Sequence, residues 1–202
     1  MDAYTRGDFY EEVKRARQEY CARTGEIAEG SEKFEIRMTA FLDWYLFDRP
    51  MDQAQLAPVK LFVLEKLDTV AADERSIFED LAKSNHSLFE LLKAKGDDIY
   101  VKDLFTNEKF IVEDDAINRG FTKGDVFEAR LIKYKDRLVF GSSFVFHPAE
   151  ARPFLLKQIK LVRFLDEKKR LALLHRLASM RLKMEQYAHI DVHHIYTENP
   201  IF

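Results

Sequence analysis

The hydrophobic period of this chain changes twice, and that change restricts the fold more than any other feature. Up to Leu81 the apolar residues return every three or four positions; from Ser87 to Phe146 they alternate in short runs between turn residues; after Pro148 the helical spacing resumes. Helices are therefore expected at both ends and strands in the middle. The reading is an α+β fold with N-terminal helices, a central five-stranded antiparallel module resembling a small β-barrel, and C-terminal helices, divided at residues 1–86, 87–147 and 148–202.

In the front segment Asp8 is a candidate N-cap for a helix carrying Phe9, Val13, Ala16 and Tyr20, which Gly25 stops. A second helix opens at Ser31, places Glu32 and Glu35 near its positive end and halts before Pro50. Its last turns, Phe41-Leu-Asp-Trp-Tyr-Leu-Phe47, are apolar nearly all round, so Trp44 is expected to be buried between several elements. Pro58 suits the first position of a third helix with Val59, Phe62, Val63, Leu67 and Val70 on one face, and a short fourth follows Asp73.

Strands are expected near 87–94, 98–104, 109–113, 125–134 and 137–146. Turn residues separate them at Gly96-Asp97-Asp98, Thr106-Asn107, Asn118 to Gly124 and Lys135-Asp136. Leu88-Phe-Glu-Leu-Leu92 would also suit a helix. Short antiparallel strands in this number tend to curl into a small closed barrel, which removes exposed edges.

Past Pro148, Leu155, Ile159 and Val162 share a helical face, with the start blurred by Pro153. Asp166-Glu167 opens another helix in which Leu173, Leu177, Met180, Met184 and Tyr187 form a short heptad stripe. The tail from His189 is read as extended, with Ile201-Phe202 expected to dock.

With 47% hydrophobic and 33% charged residues among 202, the chain has the composition of a filled globular fold. No run approaches the roughly 18 apolar residues of a membrane span, and the N-terminus lacks the apolar core of a signal peptide, so a cytoplasmic protein without a membrane partner is expected. The single cysteine, Cys21, has no partner for an internal disulfide. Charge is uneven: residues 1–100 hold 14 Lys+Arg against 21 Asp+Glu, and residues 147–202 hold 10 against 6.

Three stretches, Phe41-Leu-Asp-Trp-Tyr-Leu-Phe-Asp-Arg-Pro50, Ser87-Leu-Phe-Glu90 and Gly124-Asp-Val-Phe-Glu-Ala-Arg-Leu131, resemble an uncharacterised family of bacterial proteins. The resemblance extends through Phe146 to Arg152 and Arg181 to His189. It implies that the three segments form one unit. No activity, ligand or functional residue comes with it.

Signatures of catalysis are missing. None of the seven glycines forms a phosphate-cradling GxGxxG or GxxxxGK[ST] loop, and neither a GxSxG elbow nor an HExxH pair occurs. Aspartates such as Asp43, Asp48, Asp52, Asp114 and Asp115 match no two-metal or glycosidase spacing, and His147 beside Glu150 has an ordinary capping explanation. No catalytic residue and no cofactor is assigned. In an extended tail His189, Asp191 and His193 would share one side and could hold a cation.

Two binding functions fit what remains. One is a non-enzymatic protein–protein adaptor or regulator, with the protein itself among its possible partners and Trp44, Met180, Met184 and Tyr187 as interface candidates. The other is nucleic-acid binding. Residues 157–183 carry nine cations against two carboxylates, with Lys168, Lys169 and Arg170 as the phosphate contacts and Tyr100, Phe110, Phe127 and Tyr134 as stacking candidates.

Overall fold

The computed structural model describes residues 4–30, 33–113 and 122–200. Seven α-helices and five strands are present among them, in the order helices, sheet, helices. The front comprises α1 (Tyr10–Thr24), α2 (Phe34–Phe47), α3 (Pro58–Lys66) and α4 (Arg75–Ala82). The sheet comprises β1 (Asn85–Lys95), β2 (Asp98–Asp103), β3 (Lys109–Glu113), β4 (Val126–Tyr134) and β5 (Arg137–His147), and the back comprises α5 (Arg152–Val162), α6 (Glu167–Gln186) and α7 (Val192–Ile195). No helix among the described residues is long and apolar enough to cross a membrane.

Local chemistry accounts for several boundaries. Pro58 opens α3, Gly25 at φ +96° ends α1, and the Asp166 carboxylate caps α6 by accepting from the Lys169 amide at 2.8 Å. Asp8 does not cap α1: it lies inside a single 3-10 turn, Gly7–Phe9, and the cap position falls on Phe9 with no side-chain bond. The expected entrance of α2 at Ser31 and Glu32, the pair Asp114-Asp115, most of the 118–124 turn and the docking of Ile201-Phe202 lie outside the described residues.

The tail departs from expectation. Instead of an extended strand, Asp191 accepts from the His193 amide at 2.8 Å and opens α7. The alternation that would have put His189, Asp191 and His193 on one side is therefore absent.

All sheet pairings are antiparallel, in the order β3-β2-β1-β4-β5. Left-handed Gly96 and Lys135 make the two tight hairpin turns, and buried Asp103 closes the third by accepting from the amides of Phe105 (2.7 Å) and Thr106 (3.1 Å). Leu88-Phe89 and Leu91-Leu92 are a strand because β1 is central and covered on both faces, which gives a continuous apolar run rather than a clean alternation. Register shifts at Leu91/Lys93 and Ala129/Leu131 bend the sheet. The edges approach each other, with Arg137 3.6 Å from Glu113, but no ladder joins β3 to β5 and the sheet remains open.

The concave face encloses Phe89, Leu91, Ile99, Val101, Phe127 and Phe140. On the outer face Leu88 and Val126 join Leu155, Ile159, Leu174 and Leu177 of the back helices. A third cluster, Tyr20, Phe41, Trp44 and Tyr45 with Leu171 against it, joins front to back.

Candidate functional site

The outer face of β1 and β4 carries a second kind of contact beside the apolar one. His86 pairs across the ladder with Arg130, and Leu88 with Glu128, so period two puts His86, Glu128 and Arg130 on the side facing α2. The register shift falls at Arg130, where β5 passes Gly141-Ser-Ser143 without one-to-one partners, and an added Cβ at Gly141 would stand 3.7 Å from Asp43 Oδ1. Arg130, 2% exposed, donates from Nε (3.0 Å) and Nη2 (2.8 Å) to Asp43 and from Nη2 to Asp48, while its guanidinium lies 4.6 Å from the Phe47 ring centre. His86 donates from Nδ1 to Asp48 at 3.0 Å and from Nε2 to Glu128 at 2.9 Å.

Burial alone would discharge these groups. For His86 the two carboxylates outweigh it and push the imidazole up to about 10; for Asp48, hydrogen bonds and charge from His86 and Arg130 outweigh it and hold the carboxyl at about 2. Three carboxylates thus enclose two cations. Asp43, Asp48 and His86 bring ligand atoms within 4.8 Å of one another, close enough for a metal. The chemistry of the set opposes one: both His86 nitrogens already face carboxylates, and the Arg130 guanidinium lies between the aspartates. A divalent cation would have to neutralise the first and expel the second. The set is an ion-pair lock between α2 and the sheet.

Beside the lock, Trp44 sits between Tyr20 of α1 (5.4 Å between ring centres) and His175 of α6 (5.5 Å). Burial, then the charges of Arg23 and His86, hold the His175 imidazole down at about 4. Trp44 Nε1, both His175 nitrogens and Glu128 Oε2 are buried without a hydrogen-bond partner among the described residues.

Tyr20 also lines an open groove of about 270 Å³ between α2, β5 and α6. Its walls include Ile36, Phe144, Phe146 and Leu182, and its polar side chains are Lys33, Arg37, Arg181 and Glu185. Glu185 accepts from Lys33 at 2.7 Å and from Arg181 at 3.1 Å.

The expected site residues are dispersed. Trp44 is 2% and Met180 3% exposed, Met184 packs against the same core as Met180, and Tyr187 at the end of α6 is 38% exposed. Phe127 lies inside the sheet, and Lys93 covers Tyr100 at 4.1 Å. Much of the basic segment is engaged internally: Lys157 binds Glu198, Arg176 binds Gln158 and the carbonyls of Thr197 and Glu198, and Arg181 binds Glu185. The remaining positive charge gathers at the α5–α6 turn. Lys168 and Lys169 are exposed there, Arg170 reaches over Phe105 at 6.0 Å, and Leu161, Phe164 and Leu165 project into solvent. Among the described residues, His189, Asp191 and His193 form no group with metal-binding spacing.

Neither the lock nor the groove was legible as a unit from spacing. Asp43 and Asp48 in an otherwise apolar helix end were the available signal, because charges there demand buried partners. One of those partners, Arg130, lies in Gly124-Asp-Val-Phe-Glu-Ala-Arg-Leu131, another stretch that carried the family resemblance, and the other, His86, stands just before Ser87-Leu-Phe-Glu90. No curated protein and no solved structure matches the chain. A profile of a family of unknown function matches residues 8–177, from the turn before α1 into the middle of α6, and the chain belongs to that family, DUF7986.

Proposed function

We propose that this protein is a non-enzymatic adaptor or regulator of the cytoplasm that presents its α5–α6 turn to a protein partner. The observation that carries this reading is the turn itself: Phe164 is 89%, Leu161 62% and Leu165 47% exposed. Exposing three large apolar residues at one point costs solubility and gives the fold nothing. Within residues 160–170 five cations, Lys160, Arg163, Lys168, Lys169 and Arg170, accompany two carboxylates, Asp166 and Glu167. A partner that complements this turn offers an apolar pocket with an acidic rim. In this reading the curled sheet serves as a barrel-like scaffold and the three segments move as one body.

The test compares the native protein with a Phe164→Ser, Leu165→Ser variant whose circular dichroism is unchanged. Affinity capture from native extract is expected to retain a partner on the native protein, release it at high salt and lose it on the variant. Identical captured proteins would overturn the reading. Sedimentation over a concentration range establishes whether the partner is a second copy.

Exposed Lys168 and Lys169 support nucleic-acid binding as a second reading. It predicts binding of labelled single-stranded RNA or DNA at low salt, weakened by replacing Lys168, Lys169 and Arg170 with glutamate. No binding at about 50 mM salt eliminates it.

A further inference from the structure

We propose that the groove between α2, β5 and α6 binds a small amphipathic carboxylate, with the apolar part against Phe144, Phe146, Ile36 and Leu182 and the carboxylate held by Arg181 and Lys33. This site lies toward the other end of α6 from the α5–α6 turn and does not depend on the adaptor reading.

Charge selects the ligand. Lys33 and Arg181 share one carboxylate, Glu185, so one positive charge of the pair remains unbalanced by the groove's lining, and Arg37 adds a further cation beside them. Arg37 serves the fold, because its Nη2 donates to the Gly25 carbonyl at 2.6 Å and fixes the end of α1. Lys33 and Arg181 make no such backbone contact among the described residues. Their shared contact is Glu185, and their side chains are 47% and 27% exposed, so an incoming carboxylate can join Glu185 between them without breaking the core.

Shape and polarity select the rest. Ile36 is 56% and Phe146 38% exposed at the walls, which is the surface an apolar body would cover. At about 270 Å³ the groove is small for a ligand cleft and suits a short or medium acyl chain rather than a nucleotide. Tyr20 also lines the groove, and burial, then the nearby Glu128 carboxylate, keep its phenol protonated. The neutral phenol and its ring add no charge to the apolar lining.

Trp44 lies 5.4 Å from Tyr20, between ring centres, and supplies the readout. The probe is 11-bromoundecanoate below its micellar concentration, whose bromine quenches a nearby indole. Saturable quenching is expected. The uncharged 11-bromoundecanol and the Arg181→Gln protein should each bind at least about tenfold more weakly, a difference of about 1.4 kcal/mol. Lys33→Gln is the second variant, in case Arg181→Gln does not fold, and should weaken carboxylate binding without changing alcohol binding. Equal affinity for acid and alcohol, absence of saturable quenching, or quenching that appears only when the acid is presented in anionic phospholipid vesicles would each overturn the proposal.

Discussion

The outer face of β1 and β4 meets its two neighbours in opposite ways. Toward the back helices the contact is Leu88 and Val126 against Leu155, Ile159, Leu174 and Leu177; toward α2 it is His86, Glu128 and Arg130 against Asp43 and Asp48. Two residues of strand separate the two regimes. Apolar packing contributes the larger share of stability but has no direction, since a helix can slide or rotate on it at modest cost. The ionic contact contributes little net energy after desolvation, yet it has one geometry. The back helices thus hold the sheet, and the lock sets where the front helices sit on it.

The largest expected effects come from the joint where both contacts meet. Trp44→Ala should cost about 3–5 kcal/mol, because the indole is 2% exposed and touches α1 and α6 at once. Urea denaturation followed by circular dichroism measures it. A midpoint equal to wild type, or water-like Trp44 emission in the native protein, would mean that front and back are independent.

Arg130→Ala should cost a similar amount, about 3–5 kcal/mol, by stranding Asp43 and Asp48. Replacing Asp43, Asp48 and Arg130 together with Leu, Leu and Met sharpens the comparison. Stability near wild type, with broadened amide resonances in α2, is expected if the lock supplies position rather than energy; a fully unfolded triple variant contradicts that division. Leu177→Ala, in the apolar contact, should cost about 2–5 kcal/mol and leave α2 resonances sharp.

Gly25→Ala acts on the end of α1 and its contact with α6. The position has φ +96°, and an added Cβ would lie 2.4 Å from Leu182 Cδ2, so a cost of about 1–3 kcal/mol is expected in thermal denaturation. A neutral result would show both that Leu182 turns away and that the end of α1 relaxes to a φ that alanine tolerates.

Acidity separates the two contacts most gently. His86, raised to about 10, contributes stability that is complete below about pH 6.5 and is lost as pH rises toward 10. Asp48, lowered to about 2, contributes stability present above pH 3.8 and lost as pH falls through 2. The histidines of the apolar side behave in the reverse sense to His86. Burial first, then Arg181, holds His147 neutral at about 3, and His175 stays neutral at about 4, so protons bind the unfolded chain preferentially as pH drops below about 6.5. Urea midpoints should peak near neutrality. His86→Gln is expected to flatten the alkaline limb and His175→Phe the acid limb; the opposite assignment would break the comparison.

Much of this was written in the order of residues. The five strands lie within two residues of where alternation and turn signals put them, since each hairpin is closed by its own local residues. Asp166 and Pro58 marked helix starts for the same reason. The tail was misread because His189-Ile-Asp-Val-His alternates like a strand, although Asp191 was a recognisable cap. The lock was half visible in Asp43 and Asp48. Its other half depends on the β1–β4 register and on a bulge, neither of which a single strand's pattern contains. The groove was not visible at all, as its two carboxylate-binding cations, Lys33 and Arg181, come from opposite ends of the sequence.

The span of the lock bears on synthesis. Asp43 and Arg130 are 87 residues apart in the chain, and Asp48 and Arg130 are 82 apart. While a ribosome is still making the sheet, the front helices have left the exit tunnel with their aromatic cluster uncovered and two carboxylates lacking a guanidinium. His175, the lid over Trp44, arrives later still. The nascent front helices must therefore wait, open and adhesive, until the sheet and α6 have emerged, which makes them the stretch a chaperone would hold.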